Sequence, residues 1–182
     1  MKTREVTLTS GEKFTVPQGV QRLDSKTTRG WQVRYQGTRY FPDGEPGPHK
    51  SFQAATRELL KRIASMPAPV SIRREPSPLK GSDLPPGISG PILESRRGGK
   101  SQAAVFSVLV PRFGATNLVK KVHIGTPNTY TQARFEAALD KAMKLRHASV
   151  AKYEADATKA RRRAAVAMKK AQKALASGTS TP

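Results

Sequence analysis

Residues Lys121–Arg146 read KVHIGTPNTYTQARFEAALDKAMKLR, and this run sets the architecture expected of the chain. Val122 and Ile124 alternate with Lys121 and His123, the pattern of a half-buried strand, and Gly125 and Pro127 break it. Thr129 is placed to cap a helix, with Gln132 as its reciprocal partner. Within that helix Phe135, Ala138, Leu139, Ala142 and Met143 recur at helical spacing, so one apolar stripe can cover the inner face of the preceding strand. The outer face of the sheet is left open to a partner.

Working backwards, Phe106-Ser107-Val108-Leu109-Val110 reads as the middle strand and Gly87 to Leu93 as the first. A similar order occurs earlier. Val20 begins one strand, Trp31, Val33 and Tyr35 alternate in a second, and Arg39-Tyr40-Phe41 forms a third after the Gln36-Gly37 turn. Ser51 is then placed to cap a helix whose Phe52, Ala55, Leu59 and Ile63 share a face. Gly19-Val20 answers to Gly87-Ile88, and Trp31-Gln32-Val33 to Phe106-Ser107-Val108. Ahead of both, residues 4–17 alternate around Ser10-Gly11 as a hairpin that must pack on its neighbours, because two strands alone are marginal in water.

The basic-apolar strand ending in Ile124-Gly125-Thr126, followed by a Thr-led, Ala-rich helix, resembles the Apetala-2/ethylene-response-factor DNA-binding domain, whose relatives include bacterial, phage and integrase-type forms. The resemblance implies an α+β fold of two small modules, each a three-stranded antiparallel sheet packed on one helix. The outer sheet face would enter the major groove. The departures concern target choice: the family commonly carries Arg after its Gly-Val pair and again two residues on, where this chain has Gln21 and Leu23, and Ser89 and Pro91 in the second copy. The plant family's target preference is therefore not expected to carry over.

The 182 residues hold 33 Lys and Arg against 13 Asp and Glu, a formal charge of +20. Such a field favours a polyanion, because each neutralised phosphate releases condensed counterions. No run approaches the roughly 18 apolar residues of a membrane span, and the N-terminal residues do not form an apolar signal core, so a cytoplasmic, nucleoid location without membrane partners is expected. With no cysteine, and with His49, His123 and His147 far apart, neither a disulfide framework nor a metal or other cofactor is expected. Scattered acids and the absence of a nucleophile, base or His-Glu-x-x-His arrangement point away from an enzyme. The low apolar content suits two small cores better than one large one.

The expected domains are 1–63, hairpin and first module; 64–86, a proline-rich basic linker; 87–146, the second module; and 147–182, a basic helical tail. The linker's prolines forbid a helix or an interior strand. The tail, Ala-rich and free of Gly and Pro from 147 to 176, continues the second helix. Leu139, Met143, Val150, Tyr153, Ala157, Ala160, Ala164, Ala167, Ala171 and Ala174 step by threes and fours, interrupted only by Arg146, like a coiled-coil seam, a surface for a homodimer. Arg161-Arg162-Arg163 and Lys169-Lys170 ring the helix as a phosphate clamp.

Alternation places Gln21, Gln32, Arg34, Arg39 and Phe41 outward in the first module and Ser107, Lys121 and His123 in the second. Arg suits guanine and Gln adenine, while Lys and His suit phosphate or a single acceptor. The expected DNA-binding set is Gln21, Gln32, Arg34, Arg39, Phe41, Lys121, His123, Arg161, Arg162 and Arg163. The expected function is that of a non-enzymatic regulator or nucleoid- or mobile-element-associated protein on duplex DNA. An RNA-binding or ribosome-associated role is the alternative.

Overall fold

The computed structural model describes residues 1–77, 81–95 and 102–178, with side chains along the last helix to residue 173. Parts of the expected linker and tail, 78–80 and 179–182, and the side chain of Ala174 lie outside the described residues. The fold is α+β. Strands β1 (Thr3–Thr7) and β2 (Lys13–Pro17) pair; β3 (Val20–Asp24), β4 (Arg29–Arg34) and β5 (Thr38–Pro42) form a second antiparallel sheet; β6 (Ile88–Ser95), β7 (Gln102–Val110) and β8 (Leu118–Gly125) form a third. Helices α1 (Gly47–Ser65) and α2 (Gln132–Gly178) complete the order. No helix among the described residues is long and apolar enough to cross a membrane. The chain divides into two compact units, one of residues 1–69 with 157–182 and the other of 70–156.

In the first unit β3-β4-β5 follow in chain order, and the reversal between β4 and β5 uses left-handed backbone at Gln36 (φ 49°) and Gly37 (φ 104°). Trp31, Val33, Leu59 and Ile63 are fully buried together, with Val20, Tyr35, Ala55 and Leu60 around them. The hairpin joins this core through Phe14 and Val16, and Phe14 packs edge-on to Phe52 at 5.3 Å. Full burial of such side chains contributes about 1.5–3 kcal/mol each.

Two details differ from the sequence expectation. Helix α1 starts at Gly47, four residues before Ser51, and its N-cap Pro46 has no side-chain cap bond. Proline in the first turn gives up an N–H that would have no partner there. Ser51 is instead buried, donating to Asp43 Oδ1 at 2.6 Å. The tail is likewise more than a carrier of charge: Ala165 lies in the first unit's core and Met168 packs against it. Alanine permits this, because a helix face without bulk can approach a sheet-and-helix core closely.

In the second unit Ile88, Phe106, Val108, Val122 and Ile124 meet Ala138 and Ala142 of α2, with Phe135, Leu139 and Met143 packed alongside. Register slips occur between Ser89 and Ile92 in β6 and opposite Ala104–Val105 in β8. Gly125 ends β8 where an added Cβ would stand 3.2 Å from Tyr130 Cα, so the turn into α2 is close. The cap of α2 is Thr131, whose Oγ1 accepts the Arg134 N–H at 3.2 Å. Thr129 Oγ1 accepts the Thr126 N–H within the turn, and Gln132 bonds Glu136 rather than reaching back. The run TPNTYTQ holds three threonines, and the longer turn selects the last of them.

Along α2 the buried positions are Ala138, Ala142, Arg146, Ser149, Ala157 and Ala165, with Tyr153, Arg161 and Met168 half-buried. These steps of three and four overlap the expected dimer seam at Tyr153 and Ala157. Residues of this line pack within each unit, Ala138 and Ala142 in the second core and Ala165 in the first.

Candidate nucleic-acid interface

Residues directly opposite in an antiparallel pair project to the same side, so register sorts the first sheet into two faces. Gln21 is opposite Gln32 and Gln32 opposite Tyr40; Leu23, Gly30 and Pro42 align, and Arg34 is opposite Thr38. That set faces away from the core. The other set joins Val20, Val33 and Arg39, and Arg22, Trp31 and Phe41.

Arg39 and Phe41 are therefore on the core side and not on the outward face expected for them. The expectation kept odd positions outward in β5 while keeping even positions outward in β4, but the turn pairs Gln32 with Tyr40. Phe41 is half-buried against the core, and Arg39 sits 5.3 Å over its ring and 3.4 Å from Glu58. Tyr40, not singled out from sequence, takes the outward place. Its ring leans over Gly30, where an added Cβ would come within 2.8 Å of it, and its hydroxyl donates to the Arg29 carbonyl at 2.8 Å.

Charge is also sorted by face. Arg22 is 2.7 Å from Asp43, Arg29 is 3.8 Å from Asp24, and Arg62 is 2.8 Å from Glu58. Burial alone would raise the Asp43 carboxyl; the hydrogen bonds from Arg22 and Ser51, with the charges of Arg22 and Arg29, outweigh it and hold Asp43 below the usual carboxylate range. The Arg62 hydrogen bond chiefly holds Glu58 down in the same way, against a smaller effect of burial. Arg34 differs from these arginines. It is exposed, and its Nε donates to Gln32 Oε1 at 2.7 Å, an amide and not a carboxylate. The outward face, from Gln21 through Arg34 to Tyr40, carries no acidic side chain.

The three tail arginines separate. Arg161 is drawn inward, donating to the Gln18 carbonyl at 2.6 Å and to Gln18 Oε1 at 3.0 Å, with its guanidinium 5.9 Å from the Tyr35 ring centre. Burial lowers the Arg161 pKa against the opposing influence of Tyr35; burial raises Tyr35, with Arg161 and Arg162 pulling it back. Arg162 and Arg163 are exposed. Arg161 thus anchors that turn of α2 beside the end of β4, where Arg34 also projects. Nothing in the sequence distinguishes Arg161 from its two neighbours; the helical phase of Ala157, Ala164 and Ala165 does so once the core is known.

The outward face of the second sheet has a different character. Val105, opposite both Ile92 and His123, and Ser107, opposite Lys121, belong to it, together with Leu109 and Val119. Ile92, Leu109 and Val119 are 40%, 38% and 60% exposed. Lys121 Nζ lies 2.6 Å from Glu94 Oε1, so its charge is already met. His123 is exposed beside it. Among the described residues there is no group of three or more His, Asp or Glu side chains able to hold a metal. No protein-family model, curated protein or solved structure matches this chain.

Proposed function

We propose that this chain is a non-enzymatic DNA-binding protein that presents the outward face of β3-β4-β5 to the major groove and grips phosphates with the exposed cations of α2. The observation that carries the reading is the sorting of charge in the first sheet. Arg22, Arg29 and Arg39 are met by carboxylates, whereas Arg34, Gln32 and Gln21 share a face free of acids. Three strands about 4.8 Å apart span roughly 10 Å, which suits a major groove about 12 Å wide. Arg and Gln are the side chains that make paired bonds to guanine and adenine there. Arg162 and Arg163, exposed on the turn of α2 that Arg161 anchors, supply the part of affinity that is independent of sequence.

The strand-strand-strand-helix order supports the resemblance to tandem Apetala-2-type modules, with the second serving as a scaffold more than as a reader. Duplex is favoured over single-stranded RNA by the scarcity of stacking surfaces. Tyr40 is the aromatic residue on the outward face, and its hydroxyl is tied to the backbone. Competition of duplex DNA, single-stranded DNA and structured RNA for the full chain at two salt concentrations tests the reading. Duplex DNA is expected to win at both; preference for structured RNA would overturn it.

A further inference from the structure

In the second unit, residues 70–77 run without regular secondary structure and are pinned where Arg74 meets Glu154 at 2.8 Å. Beside them lies a cavity of about 530 Å³. Its walls carry two guanidinium groups, Arg73 and Arg146, three serines, Asn117 and Tyr153, with apolar side chains between them and no carboxylate. That volume is of the size that takes a small organic ligand.

Arg146 is the unusual member. It is 8% exposed, and its Nη1 donates to the Leu109 carbonyl at 2.6 Å. No carboxylate of the described residues lies within ion-pair distance of it. A guanidinium has five N–H donors, and a buried cation is costly without a counter-charge. Gly87 makes room for it: an added Cβ would stand 2.6 Å from Arg146 Nε. A fixed, buried cation reached past a glycine, a second, exposed cation in the wall, and hydroxyl and amide donors without a competing acid together suit a doubly charged oxyanion.

We propose that this cavity binds a phosphate group, with Arg146 as its fixed contact and Arg73 closing over it, carried either by a phosphorylated small molecule of nucleotide size or by a nucleic-acid end. The inference is independent of the sheet-face reading, since it concerns other residues in the other unit.

The test is titration of the full chain with inorganic phosphate and with adenosine monophosphate, read by calorimetry and thermal shift against chloride at equal ionic strength. Saturable binding is expected, weakened about tenfold or more in Arg73→Ala, whose side chain is exposed and whose loss leaves no cavity in the core. Lys26→Ala, an exposed lysine in the first unit, should bind as the wild type does. Absence of saturable binding, or equal loss in both variants, would overturn the proposal by reducing the effect to screening of the overall positive charge. A competition arm assigns the source. Adenosine monophosphate that displaces duplex DNA bearing a 5′-phosphate, but not the same duplex without it, places a nucleic-acid end in the cavity, whereas undisturbed DNA binding assigns it to a free phosphorylated ligand.

Discussion

Arg161 of α2 holds Gln18 at two points, its carbonyl at 2.6 Å and its side-chain oxygen at 3.0 Å, and thereby ties the C-terminal half of the long helix to the turn that opens β3. Arg161→Ala removes two charge-assisted hydrogen bonds and a half-buried stem, and should lower the stability of the first unit by roughly 1–3 kcal/mol. The chain's single tryptophan, Trp31, is fully buried in that unit, so its fluorescence during urea unfolding reports the loss. Arg163→Ala, at an exposed position, should stay within about 0.5 kcal/mol of wild type.

Acid should weaken the same unit. Asp43 and Glu58 have folded-state pKa values below their ordinary ones, so the unfolded chain binds protons more readily. Their contribution is fully present above the ordinary carboxylate range and is lost as pH falls through the depressed folded values. Asp43→Asn should flatten that part of the pH profile and cost about 2–4 kcal/mol at neutral pH, because Arg22, only 9% exposed in its side chain, loses its nearest partner. Urea midpoints between neutral pH and pH 3 check both effects; a variant with wild-type acid sensitivity would remove Asp43 from the explanation.

The separation of reading from gripping should appear in the salt dependence. Replacing Arg162 and Arg163 together by Ala should lower the slope of log affinity against log salt by roughly 2, because each phosphate contact contributes about 0.9. All duplex sequences should be weakened alike. Filter binding across a salt series measures this, and an unchanged slope would place those cations away from the phosphates.

Most of the strand and helix order is legible in the sequence because its signals are local. Val20, Trp31, Val33, Val108 and Ile124 alternate with polar neighbours, and α2 carries its apolar stripe from Phe135 to Met143. What escapes is whatever depends on pairing. Arg39 and Phe41 look outward until the turn at Gln36-Gly37 sets Gln32 opposite Tyr40. Thr129 and Ser51 have the chemistry of caps, yet the turn lengths give Thr131 that role in α2 and put Pro46 at the start of α1. Spacing alone does not show that Tyr153 and Ala157 of the tail's seam fall on the same helix line as Ala165 of the first core. Lys121 has the chemistry of a phosphate contact, and only the β6-β7-β8 register brings Glu94 to it.

The most direct test of the sheet-face reading compares Arg34→Ala and Lys121→Ala for affinity to a preferred duplex recovered by selection and to a scrambled one. Neither side chain is buried, so Trp31 fluorescence and melting should stay close to wild type in both. Arg34→Ala is predicted to lose about 1–3 kcal/mol on the preferred duplex and little on the scrambled one, while Lys121→Ala changes either by less than about 0.5 kcal/mol. Wild-type affinity and preference in Arg34→Ala, or a larger loss in Lys121→Ala, would contradict the placement of base reading on the first sheet.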